Sequence, residues 1–100
     1  MSDKYILDGQ QAVRCADLMT WARWFEQADR HVAESVIDDV RVSTVFLGLD
    51  HSFGRSMPVL YETMVFGGPH DQEQERYATW EEAALGHDAM VNKVRQSCQP

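Results

Sequence analysis

The chain is short of the features that place a protein quickly. Its longest apolar run, residues 45–49, is far below the roughly 20 apolar residues a membrane-spanning helix needs, so no membrane span is expected. The start, Met1-Ser2-Asp3-Lys4, has no basic region followed by an apolar stretch, so no secretory signal is read there. Only two cysteines occur, Cys15 and Cys98, with no CxxC or zinc-ligand spacing. In the reducing compartment this implies, both are read as thiols, and a bridge joining the two ends stays open. Positive charge is scarce: nine Lys and Arg stand against 16 Asp and Glu, a net charge of −7. A field of that sign repels phosphate backbones and anionic membranes, which disfavours direct nucleic-acid binding and favours a basic protein partner. The same charge also serves plain solubility.

Catalytic signatures are missing as well. There is no GxSxG nucleophile elbow, no Walker A or GxGxxG loop, and no HxH or HExxH spacing. Gly67-Gly68-Pro69 is too short to cradle a phosphate and reads as a hairpin break. Cys15 has Arg14 beside it, a weak environment for a lowered thiol pKa. Nucleophilic catalysis therefore has no support, no cofactor or metal is expected, and a non-enzymatic role is the favoured expectation.

What is present is the patterning of one folded domain. The 100 residues suffice for a single core, expected to be ordered over about residues 4–96. A short strand is expected at 4–7, closed by the turn signal Asp8-Gly9. Leu18, Trp21, Ala22, Phe25 and Ala28 recur at i, i+3, i+4 and i+7, which predicts a helix over 18–28 with Asp17 as N-cap. Strands follow at 31–37, at 40–49 after an Asp38-Asp39 turn, and at 59–66, with a polar edge strand over 72–78. Thr79-Trp80-Glu81-Glu82 is a capping box opening a last helix. Along it Trp80, Ala83, Ala84, His87, Met90, Val91 and Val94 form one stripe. The fold expected is α+β: an antiparallel three- to four-stranded meander packed against two helices, with both helices covering the sheet's apolar face.

Against that layout a few polar residues stand out. His87 falls in the middle of the last helix's apolar stripe, facing the sheet. It reads either as a satisfied structural histidine or as a ligand-contact or acid–base group at a seam pocket. Gly86 beside it implies close approach of another backbone. Glu62 shares a strand face with Leu60, Met64 and Phe66 and calls for a partner, for which Arg41, Arg76 and His87 are candidates. If the loop opening at Asp50-His51 folds toward the last helix, Asp50, His51, Glu62 and His87 converge in a set suited to acid–base or metal chemistry. Asp50, His51, Glu62, Arg76 and His87 are thus the candidate ligand-binding residues. His70-Asp71 reads as a solvated turn. Glu73, Glu75, Glu81 and Trp24 are the candidate interface residues, since an exposed indole or acidic patch is what a basic partner would meet.

Three runs carry a resemblance. These are Val42-Ser43-Thr44-Val45-Phe46-Leu47-Gly48-Leu49-Asp50-His51, Glu62-Thr63-Met64-Val65-Phe66-Gly67-Gly68, and Glu75-Arg76-Tyr77-Ala78-Thr79-Trp80-Glu81-Glu82-Ala83 followed by Gly86-His87. With Thr20-Trp21-Ala22-Arg23-Trp24-Phe25-Glu26 and Ala28-Asp29-Arg30 upstream, the chain resembles an uncharacterised family of small proteins encoded in bacteriophages and prophages, over about residues 18–95. His70 departs from the apolar residue that the resemblance leads one to expect there. The resemblance implies a protein made in the cytoplasm of an infected bacterium. By analogy it implies action by protein–protein binding, such as inhibition of a host or anti-phage defence complex, with a homodimer among the possible assemblies. A nucleotide-like small-ligand binder or minor enzyme built on the Asp50, His51, Glu62 and His87 set is the competing expectation, and a minor virion component is a third.

Overall fold

The computed structural model describes residues 3–52 and 57–97. Cys98 and the tail beyond it lie outside the described residues, as does the Gly54 stretch of the loop expected at 50–57. In chain order the elements are β1 (Tyr5–Asp8), β2 (Gln11–Arg14), α1 (Leu18–Gln27), β3 (His31–Ile37), β4 (Val40–Phe46), β5 (Tyr61–Phe66), β6 (Gln74–Tyr77) and α2 (Trp80–Ser97). The fold is α+β, with β3-β4-β5-β6 as one antiparallel meander and β1-β2 as a separate hairpin. Among the described residues no helix is long and apolar enough to cross a membrane.

The meander follows from alternation. Val42 pairs with Val65, Thr44 with Thr63 and Phe46 with Tyr61, so their side chains share one face. Onto that face α2 lowers Ala83, His87, Met90, Val91 and Val94, all buried. Two apolar clusters result. Val40, Val42, Val65, Met90, Val91 and Val94 form one, and Phe46, Leu60, Tyr61 and Ala83 form the other. Each large side chain taken out of water in this way contributes about 1.5–3 kcal/mol. The capping box closes α2 as its residues dictate. The Glu82 backbone N–H donates to Thr79 Oγ1 at 3.1 Å, and the Thr79 N–H donates to Glu82 Oε1 at 3.2 Å.

Two features differ from the expected layout. Gln11–Arg14 is a strand, although it has only Ala12 and Val13 as apolar residues. Its support is the ladder to β1, from Tyr5↔Arg14 to Asp8↔Gln11, rather than any pattern of its own. The second difference is α1, which shares little of the sheet with α2 and buries none of its residues fully. It docks on β1 and the end of β4 instead. The Trp21 indole N–H is shared between the carbonyls of Tyr5 and Gly48, both at 3.1 Å. Gly48 sits at φ +78°, and a Cβ there would meet the Phe25 ring at 2.9 Å, so the helix seats directly on bare backbone.

The meander's other face carries no helix among the described residues. Val36, 69% exposed, and Phe66, 38% exposed, lie on it. So do the ion pairs Arg41–Glu34 and Arg76–Glu62, both at 2.9 Å.

Candidate functional site

His87 is 3% exposed, and both of its ring nitrogens are bonded. Nδ1 lies 2.7 Å from Thr44 Oγ1, and Nε2 lies 2.9 Å from Ser35 Oγ. Thr44 Oγ1 is also 2.5 Å from Thr63 Oγ1, and the Tyr77 hydroxyl donates to Thr63 Oγ1 at 3.1 Å. One chain of hydrogen bonds therefore runs from β6 through β5 and β4 to α2 and on to β3. It separates the two apolar clusters as a polar belt.

The direction of this chain follows from proton counting. Because Tyr77 donates to Thr63, Thr63 has one proton to give, and Thr44 receives it. Thr44 then gives its own to His87 Nδ1, which leaves Nε2–H to donate to Ser35. The ordering in which every hydroxyl proton of the Tyr77–Thr63–Thr44 chain has an acceptor within it is the one with a neutral imidazole protonated on Nε2. Burial holds the His87 pKa below its ordinary value, against a smaller opposing pull from Asp88, so the neutral form is the stable one. Burial likewise holds the Tyr77 phenol above its usual range, despite the bond to Thr63. Among the described residues every buried side-chain polar atom has a partner, so the belt is fully satisfied.

The residues singled out in the sequence are distributed rather than gathered. His87 lies on the helix-covered face, bonded to Thr44 and through it to Thr63. Glu62, one residue earlier on β5, points to the other face and pairs with Arg76 across the register Glu62↔Arg76. Of the three partners considered for Glu62, Arg76 is the one present. Asp50 closes its own loop by accepting from the Ser52 and Val59 backbone N–H groups at 2.8 and 2.9 Å and from the Ser52 hydroxyl at 3.0 Å. Burial opposes its ionisation, but these bonds outweigh it, and its pKa is lowered. His51 stays in that loop, its N–H bonded to the Val59 carbonyl. Asp50, His51, Glu62 and His87 do not form one pocket, and no group of three ligating side chains suited to a metal exists among the described residues. His70 is tied to Glu73 at 2.7 Å rather than solvated, and Glu73 also bonds Lys93.

Concave surface lies elsewhere. Glu73 and Glu75, two of the interface candidates, line a groove of about 280 Å³ between β6 and α2, floored by Tyr77, Gly86 and Met90. Glu81, a third, stands at the rim of a cleft of about 260 Å³ where the hairpin meets the start of α2. Trp24, the fourth, is half-buried and edge-on to Phe46 at 5.7 Å, so its ring serves the second cluster. Sequence reasoning missed Thr44, Thr63, Ser35 and Tyr77. The signal available was weak, because threonine and tyrosine are ordinary strand residues. Only their coincidence in register with His87 makes a site, and register is not written in composition.

No protein-family model, curated protein or solved structure matches this chain.

Proposed function

We propose that this chain is a binding protein: a small acidic accessory protein of phage or prophage type. It acts in the bacterial cytoplasm by docking on a basic surface of a host or defence-system complex. The observation that carries this reading is where the charge is left uncancelled. On the open sheet face and in the β6 turn, Glu34, Glu62 and Glu73 are each paired with a cation. On β6 and the outer side of α2, Glu75, Glu81 and Asp88 are exposed, with no ion-pair partner among the described residues. Asp8, Glu26, Asp38 and Asp39 are likewise exposed without an ion-pair partner among the described residues, and such surplus negative charge steers an oppositely charged partner and suppresses like-charged ones. The interior supports the same reading, since the belt's polar groups are consumed in holding α2 to the sheet.

The test is affinity capture from bacterial lysate with the intact chain and with a variant carrying Glu75→Lys, Glu81→Lys and Asp88→Lys. The reading expects a basic protein retained by the native chain at low salt, released by high salt, and absent from the variant, while both chains melt alike. Retention of nothing specific, or of the same proteins by both chains, counts against it.

A further inference from the structure

The cleft between the β1–β2 hairpin and the start of α2 contains a polar group with no hydrogen-bond partner among the described residues. Leu60, Tyr61, Trp80, Tyr5, Gln11 and Glu81 are among its lining residues, Leu60 and Tyr61 buried and Gln11 and Glu81 exposed. Tyr61 is 1% exposed, yet among the described residues its hydroxyl has no hydrogen-bond partner. Every fully buried polar side-chain atom among them is satisfied, so the Tyr61 oxygen is the part of that residue that reaches the cleft. Burial, and then the charge of Glu81, push its pKa up to about 12, which keeps the phenol neutral and places it within the field of that carboxylate. Trp80 stands nearly perpendicular to Tyr61, the rings 6.4 Å apart at 86°.

This constellation selects by chemistry. An anion meets Glu81 and a chain of net charge −7 and is repelled. A purely apolar group leaves both the phenol and the carboxylate unanswered. A guanidinium answers all three features at once, because it is flat, cationic and rich in donors. We infer that the cleft receives an arginine side chain of a basic partner, its plane against Trp80, one N–H donated to the Glu81 carboxylate and another to the Tyr61 hydroxyl oxygen. The inference rests on reading the chain as a binder of basic proteins, and it names the side chain recognised and the place. Lysine, a compact charge without the planar fork, fits less well.

The test is an amide and indole NMR titration of the full chain with a blocked Gly-Arg-Gly peptide, its lysine counterpart and its neutral citrulline counterpart. The arginine peptide is expected to shift the Trp80 indole N–H and the Tyr61 and Glu81 amides saturably, with citrulline roughly tenfold weaker. Glu81→Gln and Tyr61→Phe should each weaken arginine binding several-fold, whereas Glu26→Gln, which removes the same charge from α1, should not. Equal response to arginine and citrulline overturns the inference, as does equal weakening by Glu81→Gln and Glu26→Gln. Saturable shifts centred on the β6–α2 groove and absent from the cleft remove the cleft from the account, and leave the basic-partner reading to the capture experiment.

Discussion

Thr44 is the residue on which the belt turns. Its hydroxyl bonds both Thr63 and His87, so it links the hydroxyls of β5 and β6 to the helix. Thr44→Val keeps the shape but strands two groups, the Thr63 proton and the His87 Nδ1 lone pair. Each buried group left without a partner costs about 1–3 kcal/mol, so the variant should lose about 2–6 kcal/mol in chemical denaturation. Thr44→Ser keeps the hydroxyl and should lose distinctly less. At this scale the sequence is half legible. The helical stripe locates His87 in the interior, since Met90, Val91 and Val94 on one side and Ala83 on the other leave it no other direction. It does not identify the partners. Glu62 was a natural candidate because a carboxylate on an apolar strand face calls for a cation, but the cross-strand register delivers Arg76. A shift of one residue along β5 would have exchanged Glu62 for Thr63, and nothing local in the sequence forbids it.

Among the elements, α2 carries the fold, and its weakest-looking position is the one most constrained. Glycine inside a helix normally costs up to about 1 kcal/mol relative to alanine. At Gly86 the Tyr77 ring occupies the space a Cβ would need, in direct overlap with it. Gly86→Ala should therefore destabilise by about 1–3 kcal/mol through overpacking and displace the Tyr77 hydroxyl from Thr63. Introduced into a Tyr77→Ala background, the same change should stabilise instead, and thermal melts of the four chains decide it. The capping box and stripe of α2, the three long strands and the helix at α1 were legible, because each is a strong local pattern. The β2 strand and the placement of α1 were not. The first has too few apolar residues to register a period. The second depends on Trp21 finding the Tyr5 and Gly48 carbonyls, a contact between segments far apart in sequence. α1 reaches the covered face at one end only, through Trp24 edge-on to Phe46. The hairpin takes part of the cover, with Tyr5, Leu7 and Ala12 packed on the second cluster.

On the scale of the whole molecule, the interior and the surface divide the polar residues between them. Inside, Ser35, Thr44, Thr63, Tyr77 and His87 satisfy one another and fix α2 on the sheet. Outside, Glu75, Glu81 and Asp88 are among the exposed acids without an ion-pair partner in the described residues, and the open sheet face carries its own ion pairs. The histidine that looked most like a site from the sequence is thus the keystone of the packing, and the surface is where binding is read. This division has a pH signature with a definite sign. With its pKa lowered in the folded state, His87 binds its proton more readily in the unfolded chain. Its contribution to stability is complete above the ordinary histidine range near 6.5 and is lost as pH falls through the lowered folded value. The measurement that tests the division most directly is an NMR titration of the His87 ring nitrogens in the folded chain. A closed belt predicts a neutral ring protonated on Nε2 at pH 7 that holds that form below the ordinary histidine range. A ring that charges at its ordinary value, or carries its proton on Nδ1, contradicts the belt and returns His87 to the list of functional groups.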